Sequence, residues 1–196
     1  MSDYQNVPRG TIDKYLDLLL TWNKKINLVS AGDKNELIER HVLDSLQLVP
    51  YLDKDCVLFD LGSGAGFPGL MLSYAGIKEV HLVEKVEKKA DFLRVAASLS
   101  PNKINIYSHN VELIKPLCCD VITARGFAEL DKIFALAQGL VKENTKFLLL
   151  KGKNIAEEIK KASIKWSFEY IIHKSKTSED GCIIEIRQLK KHEKRA

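Results

Sequence analysis

Glycines cluster in one stretch, FDLGSGAGFPG, which follows an apolar run and ends in a proline–glycine pair. Gly62, Gly64 and Gly66 can take backbone conformations that are closed to other residues, so they let the chain turn tightly and bring backbone N–H groups close to a ligand. The segment from Gly64 to Gly69 also fits the G-x-G-x-x-G pattern of dinucleotide-binding loops. The stretch predicts a loop that passes close to a ligand and leaves the ligand's identity open.

A second candidate is an acid, Glu84, at the end of the next predicted strand and 20 residues after Gly64. A carboxylate at this position can accept hydrogen bonds from both hydroxyl groups of a ribose. NAD and S-adenosylmethionine both carry such a ribose. Glu84 therefore predicts a nucleoside ligand without choosing between the two.

A sheet is needed to hold these residues, and the pattern after Asp55 predicts one. Short apolar, β-branched runs alternate with helical periods, which is typical of parallel strands covered by helices. The predicted parallel strands are Cys56–Leu61, Glu79–Val83, Ile104–Tyr107, Asp120–Thr123 and Lys146–Leu150, and the predicted helices are Pro68–Ala75, Val86–Leu99 and Leu130–Val141. The runs Trp166–His173 and Cys182–Leu189 flank Asp180-Gly181 and predict an antiparallel pair.

The first fifty residues predict helices instead. Apolar residues recur at helical spacing over 12–26, and a second helix is expected over Asn35–Val49, with Asp33 as its N-cap and Pro50 as its stop. The predicted fold class is therefore α/β: a Rossmann-like, seven-stranded, mostly parallel sheet with an antiparallel strand near the C-terminus, preceded by a helical cap.

Composition limits the number of domains and the compartment. A chain of 196 residues with 45% hydrophobic residues can bury one substantial core. We expect a single domain, with the cap over 1–52 and the core over 53–196. The start lacks a signal-peptide pattern and no apolar run approaches the ~20 residues that span a bilayer, so we expect a cytoplasmic protein without a membrane partner. The four cysteines lack metal-ligand or disulfide spacing, so we expect no metal.

Positive charge is concentrated at the C-terminal end. The net charge is +4, but residues 151–196 contain 12 Lys and Arg against 7 Asp and Glu, whereas the first 150 residues contain 18 against 19. A basic flank suits a polyanionic partner, although a solvated charged face has the same composition.

Ordered motifs then narrow the prediction to one family. They are WNKKINL from Trp22, RHVLDS from Arg40, the glycine loop with its acid at Asp60 and its FPG ending, and ARGFA from Ala124. Together they resemble the bacterial glucose-inhibited division protein B family, the small-subunit ribosomal RNA guanine-N7 methyltransferases. The order acid-x-Gly-x-Gly-x-Gly is similar to the first motif of Rossmann-like S-adenosylmethionine methyltransferases, whose loop lies under the methionine and ribose rather than gripping a pyrophosphate.

The resemblance implies S-adenosylmethionine as the cofactor. It also implies that Gly62 and Phe67 contact the cofactor, that Glu84 binds the ribose, and that Arg125 lies where cofactor and substrate meet. Val111 and Glu112 would flank the adenine. The predicted cofactor-binding residues are Asp60, Gly62, Gly64, Gly66, Phe67, Glu84, Val111, Glu112 and Arg125. Four positions depart from the family, which commonly has Thr, Ser, Arg and Ala where this chain has Val29, Lys85, Asn110 and Gly126.

The implied acceptor, guanine N7, has an exposed lone pair and no proton, so no general base has to act first. The enzyme must mainly hold donor and acceptor ~3 to 3.5 Å apart. The predicted catalytic residues are Arg125, Asn27 and His41, although a hydrogen-bonded network between cap and sheet would explain Asn27 and His41 equally well.

The implied partner is 16S ribosomal RNA or the small ribosomal subunit, and we expect a monomer. The target nucleotide should be a loop base that stacks on an aromatic ring or a guanidinium, for which Phe127 and Arg125 are candidates. The predicted phosphate-binding residues are Lys24, Arg40, Lys88, Lys151 and Lys153. Two alternatives stay open from the residues alone: a nicotinamide-dependent oxidoreductase, which GAGFPG permits, and a ribosome-associated binding module without catalysis, which the basic C-terminal end fits.

Overall fold

The central element is a seven-stranded sheet. The computed structural model describes residues 7–30, 32–114 and 119–193. The strands are β1 Val57–Leu61, β2 Glu79–Val83, β3 Lys103–Tyr107, β4 Val121–Arg125, β5 Lys146–Lys151, β6 Trp166–Lys174 and β7 Cys182–Lys191. They lie in the order β3-β2-β1-β4-β5-β7-β6, in which β1 to β5 are parallel and β7 runs antiparallel to both of its neighbours. The predicted fold class is confirmed.

Helices cover both faces of the sheet and form the cap. In the cap, α1 spans Arg9–Asn23, and α2 begins as Lys34–Leu37, passes through a π-helical turn at Ile38–Leu43 and ends as Asp44–Leu46. The helices of the core are α3 Gly69–Tyr74, α4 Glu87–Ala97, α5 Leu130–Ala137 and α6 Ile155–Ala162, and short 3₁₀ turns lie at Val49–Tyr51 and Val111–Leu113.

Alternation along the strands produces a hydrophobic core on each face of the sheet. Leu58 of β1 belongs to the core that contains the cap, α3 and α4, whereas Phe59 and Leu61 belong to the core under α5. Tyr15 and Leu16 of α1 are fully buried in the first core. Each fully buried side chain of this size contributes roughly 1.5 to 3 kcal/mol. The cap is therefore held to the sheet by a shared core.

The order of the strands reverses between β1 and β4, and open α/β sheets bind ligands outside the carboxyl ends of their strands at such a point. Leu61, Val83 and Ala124 are in register, so β1, β2 and β4 end at the same edge. The glycine loop follows β1, Glu84 follows β2, and Arg125 ends β4. The fold thus brings the main predicted site segments to one edge of the sheet.

One helix was not predicted. Helix α6 is only eight residues long and four of them are charged, so its apolar stripe of Ile155, Ile159 and Ala162 spans too few residues to stand out in the sequence. Asp33 caps α2 as predicted, because its side chain accepts a hydrogen bond from the Glu36 N–H at 2.9 Å. The π-helical turn in α2 and the early end of α5 at Ala137 are not visible in the apolar pattern.

Cys56, Cys119 and Cys182 are buried free thiols, whereas Cys118 lies outside the described residues, as do the first six residues of the chain. No helix within the described ranges is long and apolar enough to cross a bilayer. Across the same three ranges, no group of three or more His, Cys, Asp or Glu residues is placed to hold a metal ion.

Candidate active site

The glycine loop leaves no space for a side chain at its first glycine. Gly62 has a φ of +70°, and a Cβ there would lie 2.3 Å from Cδ2 of Phe127. The Gly62 N–H donates a hydrogen bond to the Val83 carbonyl at 2.8 Å, which fixes the loop to the end of β2. Phe127, from the segment after β4, therefore rests directly on bare backbone.

Glu84 fastens the same loop from β2. Its Oε2 accepts a hydrogen bond from the Gly64 N–H at 3.0 Å, and its Oε1 accepts one from the Val86 N–H at 2.8 Å. The residue is 7% exposed. An ionised carboxylate has about four lone-pair sites, so acceptor capacity is left for ribose hydroxyl groups. Glu84 lies where the sequence predicted, with an additional role in shaping the loop.

A cavity of about 450 Å³, here called the large cavity, opens between these segments. Its size falls within the roughly 300 to 1,000 Å³ of small-molecule sites. Four of the predicted cofactor residues line it, namely Gly62, Glu84, Val111 and Glu112. The other lining residues are Val83, Lys85, Val86, Lys89, His109, Asn110, Gly126, Phe127, Lys132 and Leu136. The cavity thus combines two acids, an apolar wall and several lysines.

The other predicted cofactor residues are not part of this lining. Asp60 is fully buried and accepts hydrogen bonds from the Gly69 N–H at 3.2 Å and the Thr123 hydroxyl at 3.1 Å, so it positions the loop from inside. Burial raises the pKa of Asp60 to about 6. A Cβ at Gly66 would lie 2.3 Å from Leu70 Cδ1, so this glycine permits close packing of the loop on α3. Gly64 contributes its backbone N–H, which donates the hydrogen bond to Glu84.

Phe67 and Arg125 meet on the cap side of the loop. The Arg125 guanidinium carbon lies 4.9 Å from the centroid of the Phe67 ring. The same guanidinium donates hydrogen bonds from Nη1 to the Arg40 carbonyl at 3.0 Å and to Asp44 Oδ2 at 3.3 Å. Arg125 therefore joins the end of β4 to α2, and Phe67, 3% exposed, packs inside this junction.

His41 belongs to this junction as well. Its ring stacks on Phe67 with centroids 5.1 Å apart, and its Nδ1 is buried without a hydrogen-bond partner among the described residues. Burial, and after it the positive charge of Arg125, lower the pKa of His41 to about 4. The imidazole is therefore neutral at neutral pH.

A second cavity of about 280 Å³, here called the small cavity, lies beside Arg125. Gly126 lines both cavities, so the two spaces adjoin at the end of β4. A Cβ added at Gly126 would meet no heavy atom within 4 Å. The lining of the small cavity is Asp44, Arg125, Gly126, Leu150, Lys151, Gly152, Ser175, Ser178, Asp180, Gly181 and Cys182. Two ligands bound side by side can thus meet at Gly126.

Most of the predicted phosphate-binding residues are exposed. Lys24, Lys88 and Lys153 are exposed, and Arg40 is exposed with an ion pair to Glu36 at 3.5 Å. Lys151 differs from them. Its side chain is 9% exposed, and its ammonium group donates hydrogen bonds to the Ala128 carbonyl and to Glu158 Oε2, both at 2.6 Å. An ammonium group held in this way is not presented to a phosphate, so the structure argues against the prediction for Lys151.

Asn27 is exposed, and no hydrogen bond within the described residues links it to His41 or Arg125. It lines neither the large nor the small cavity. Conversely, sequence reasoning did not identify the pairing of Asp44 with Arg125 or the contact of Phe127 with Gly62. The nearest signal was the presence of these residues in the RHVLDS, glycine-loop and ARGFA motifs.

The strand order, the glycine loop after β1 and the acid after β2 define a class I S-adenosylmethionine-dependent methyltransferase. Solved structures of this fold are similar to the chain. Magnesium protoporphyrin IX methyltransferase (ChlM) from Synechocystis PCC 6803 with bound S-adenosylmethionine superposes with a TM-score of 0.60 at 15% identity over 94% of each chain. A point mutant of MtNAS in complex with S-adenosylmethionine gives 0.62 at 13% identity over 93% of this chain and 76% of that one.

Sequence comparison identifies the family. The family model GidB, rRNA small subunit methyltransferase G, matches residues 9–186. The protein of Rickettsia felis (strain ATCC VR-1525 / URRWXCal2) named ribosomal RNA small subunit methyltransferase G is 44% identical over 189 residues, which cover 94% of this chain and 97% of the relative. Its namesake in Rickettsia typhi (strain ATCC VR-144 / Wilmington) is 45% identical over 182 residues, 92% of this chain and 94% of the relative.

The chain belongs to the GidB family, rRNA small subunit methyltransferase G. The resemblance stated from the motifs is confirmed. Family membership also decides against the nicotinamide-dependent oxidoreductase.

Proposed function

We propose that this enzyme transfers the methyl group of S-adenosylmethionine to N7 of a loop guanine in 16S ribosomal RNA. The observation that carries the proposal is that Gly126 lines both cavities, so that a donor in the large cavity and a base in the small cavity can meet there. The named relatives, which are ribosomal RNA small subunit methyltransferases, support the choice of RNA.

The residues of the large cavity fit the cofactor. Glu84 would bind the ribose hydroxyl groups, and Val111 and Glu112 would flank the adenine. Gly62 provides backbone without a side chain beside the methionine and ribose portion, and a Cβ there would collide with Phe127, which lines the same cavity. When bound, S-adenosylmethionine supplies an electrophilic methyl group on a sulfonium.

We assign Arg125 to positioning the acceptor, and His41, which lines neither cavity, to the packing around Phe67 that supports Arg125. Guanine N7 has no proton to remove, so the neutral His41 is not required as a base. Arg125 borders the small cavity while its guanidinium is fixed by Arg40 and Asp44. Preorganised groups of this kind lower the barrier by holding the reacting atoms in line. The exposed Asn27 fits a contact with RNA better than a role in the transfer.

The exposed cations Lys24, Arg40, Lys88 and Lys153 are the proposed phosphate contacts, and Lys151 is omitted because it is ion-paired to Glu158. We further propose that the enzyme acts as a cytoplasmic monomer of one domain. The cap shares its core with the sheet, which supports a single domain.

Primer extension after borohydride and aniline treatment tests the function, because this chemistry cleaves RNA at 7-methylguanosine. Small-subunit RNA is compared from cells without the gene and from cells that carry the wild-type gene, Gly62→Val or Gly10→Val. We expect a stop in one loop for the wild type and Gly10→Val, and none for Gly62→Val. Gly10 is the matched control because a Cβ there meets nothing within 4 Å.

The same stop in RNA from cells without the gene would refute the proposal. A binding module without catalysis would bind S-adenosylhomocysteine and small subunits, yet it would produce no stop with the wild-type gene.

A further inference from the structure

We propose that the small cavity receives the base of the target guanine and that the Asp180 carboxylate reads its Watson–Crick edge. The inference rests on the proposed function and assigns a site and a specificity-determining residue to it. Asp180 lies on the loop between β6 and β7, and none of the sequence motifs assigns it a role in binding or catalysis.

The position of the small cavity suits the base that accepts the methyl group. It borders the large cavity at Gly126, and at about 280 Å³ it is smaller than the roughly 300 to 1,000 Å³ typical of sites for whole small molecules. A flat purine base whose sugar and phosphate stay outside requires less space than a nucleoside cofactor. The small cavity therefore fits a base extruded from an RNA loop.

The spacing of the strands sets the distance between the two walls of the small cavity that carry Gly126 and Asp180. Arg125 pairs with Leu150, and Lys151 pairs with Cys182, so β5 separates the end of β4 from the start of β7. Neighbouring strands lie ~4.8 Å apart, which puts the Asp180 wall about 10 Å from the Gly126 wall. A purine with a hydrogen bond at one end and a reacting nitrogen at the other spans a gap of this order.

The chemistry of guanine sets its orientation. If N7 faces Gly126 and the methyl donor, the N1–H and N2–H₂ groups lie on the far side of the base and face the loop that carries Asp180. A carboxylate accepts two parallel hydrogen bonds from such a pair of donors. Adenine has an acceptor at N1, which a carboxylate would repel, so the same contact selects guanine.

Asp180 is the acid that is available for this contact. It is exposed, and no hydrogen bond or ion pair with another described residue engages its carboxylate. Asp44, the other acid of the small cavity, is already engaged by Arg125, Gln47 and Thr177.

The Asp180 loop is held in place by the cap. The buried Gln47 side chain accepts a hydrogen bond from the Lys176 N–H at 3.0 Å and donates to Ser175 Oγ at 3.4 Å and Thr177 Oγ1 at 3.3 Å. Thr177 also donates to Asp44 at 2.8 Å. These contacts fix one wall of the small cavity against α2, the helix that also holds Arg125.

The test uses small subunits reconstituted with RNA that carries guanosine or inosine at the methylated position. Inosine keeps N7 but lacks the N2 amino group. Asp180→Asn is compared with Glu179→Gln, a neighbouring exposed acid that does not line the small cavity. Initial rates of labelled methyl transfer give kcat/KM, and calorimetry gives the affinity for S-adenosylhomocysteine.

We expect inosine to lower kcat/KM of the wild type and of Glu179→Gln by about 10- to 100-fold, the effect of one hydrogen bond to a charged group. Asp180→Asn should lose a similar factor on guanosine and show an inosine penalty below about 3-fold. Its affinity for S-adenosylhomocysteine should match that of the wild type.

Equal rates for Asp180→Asn and Glu179→Gln on guanosine would overturn the assignment, as would an unchanged inosine penalty in Asp180→Asn. Either result with an active wild type refutes the role of Asp180 and leaves the proposed function intact. A wild type that transfers no methyl group to the guanosine-containing subunit would refute both.

Discussion

Substitution of Gly62 by alanine should damage the protein through one identifiable contact. A left-handed φ costs a residue with a Cβ ~1 to 2 kcal/mol, and Gly62 has a φ of +70°. The new Cβ would also lie 2.3 Å from the Phe127 ring, and such overpacking costs ~1 to 3 kcal/mol. We therefore expect Gly62→Ala to lower the free energy of unfolding by about 2 to 5 kcal/mol.

The Phe127→Ala background separates the two contributions. Without the ring, Gly62→Ala retains the backbone strain of ~1 to 2 kcal/mol, so the two substitutions should be non-additive by ~1 to 3 kcal/mol. Urea unfolding of the wild type, both single variants and the double variant measures this coupling. Gly10→Ala is the matched control, and it should be neutral or stabilising because Gly10 lies in α1 with open space around it.

Cofactor binding gives a second, independent measurement on the same variants. Gly62 lines the large cavity, so a methyl group there should weaken S-adenosylhomocysteine binding, and removal of the Phe127 ring should not restore it. If Gly62→Ala lowers the free energy of unfolding equally with and without the Phe127 ring, the reasoning is refuted, because the ring then does not occupy the space of the missing Cβ.

The remaining predictions concern Glu84, two lysines and His41. Glu84→Gln should weaken S-adenosylhomocysteine binding about tenfold or more by calorimetry, because an amide cannot replace both carboxylate oxygens; an unchanged affinity would contradict this. Lys151→Met should lower the free energy of unfolding by ~1 to 3 kcal/mol, since it leaves the partly buried Glu158 carboxylate without its cation and with the Leu130 N–H as its remaining donor, whereas Lys161→Met, from an exposed ion pair, should cost less than ~1 kcal/mol; similar costs in urea unfolding would contradict it. His41 has its pKa lowered from 6.5 to about 4, so stability should fall as pH decreases from 6.5 to 4, by ~1 to 2 kcal/mol after allowance for its partial exposure, and His41→Phe should remove that part of the fall; an equal fall in both proteins would contradict it.

The parts of the fold that could be predicted are those with local signals. The parallel strands followed from short apolar, β-branched runs, the last two strands followed from alternation of apolar and polar residues, and the glycine loop followed from residues within a few positions of each other. Glu84 was placed correctly because the distance from a glycine loop to the next strand end is nearly fixed in a βαβ unit. Helix α6 was missed because its apolar stripe is narrow, and its stability depends on contacts with the core under α5.

The contacts that could not be predicted join distant parts of the chain. Arg125 and Asp44 are 81 residues apart, and Gln47 and Ser175 are 128 apart, so no spacing pattern relates them. Lys151 was read as a phosphate contact because composition shows charge and not burial. Its pairing with Glu158 depends on α6, which the sequence pattern did not reveal.

Nucleoside analysis after methyl transfer in vitro tests the central claim most directly. Purified enzyme is incubated with labelled S-adenosylmethionine and with small or large subunits from cells that lack the gene, and the RNA is digested to nucleosides and separated by chromatography. We expect the label to co-elute with 7-methylguanosine, from small subunits and not from large ones. Label in any other nucleoside, or none in small subunits although S-adenosylhomocysteine binds, would contradict the claim.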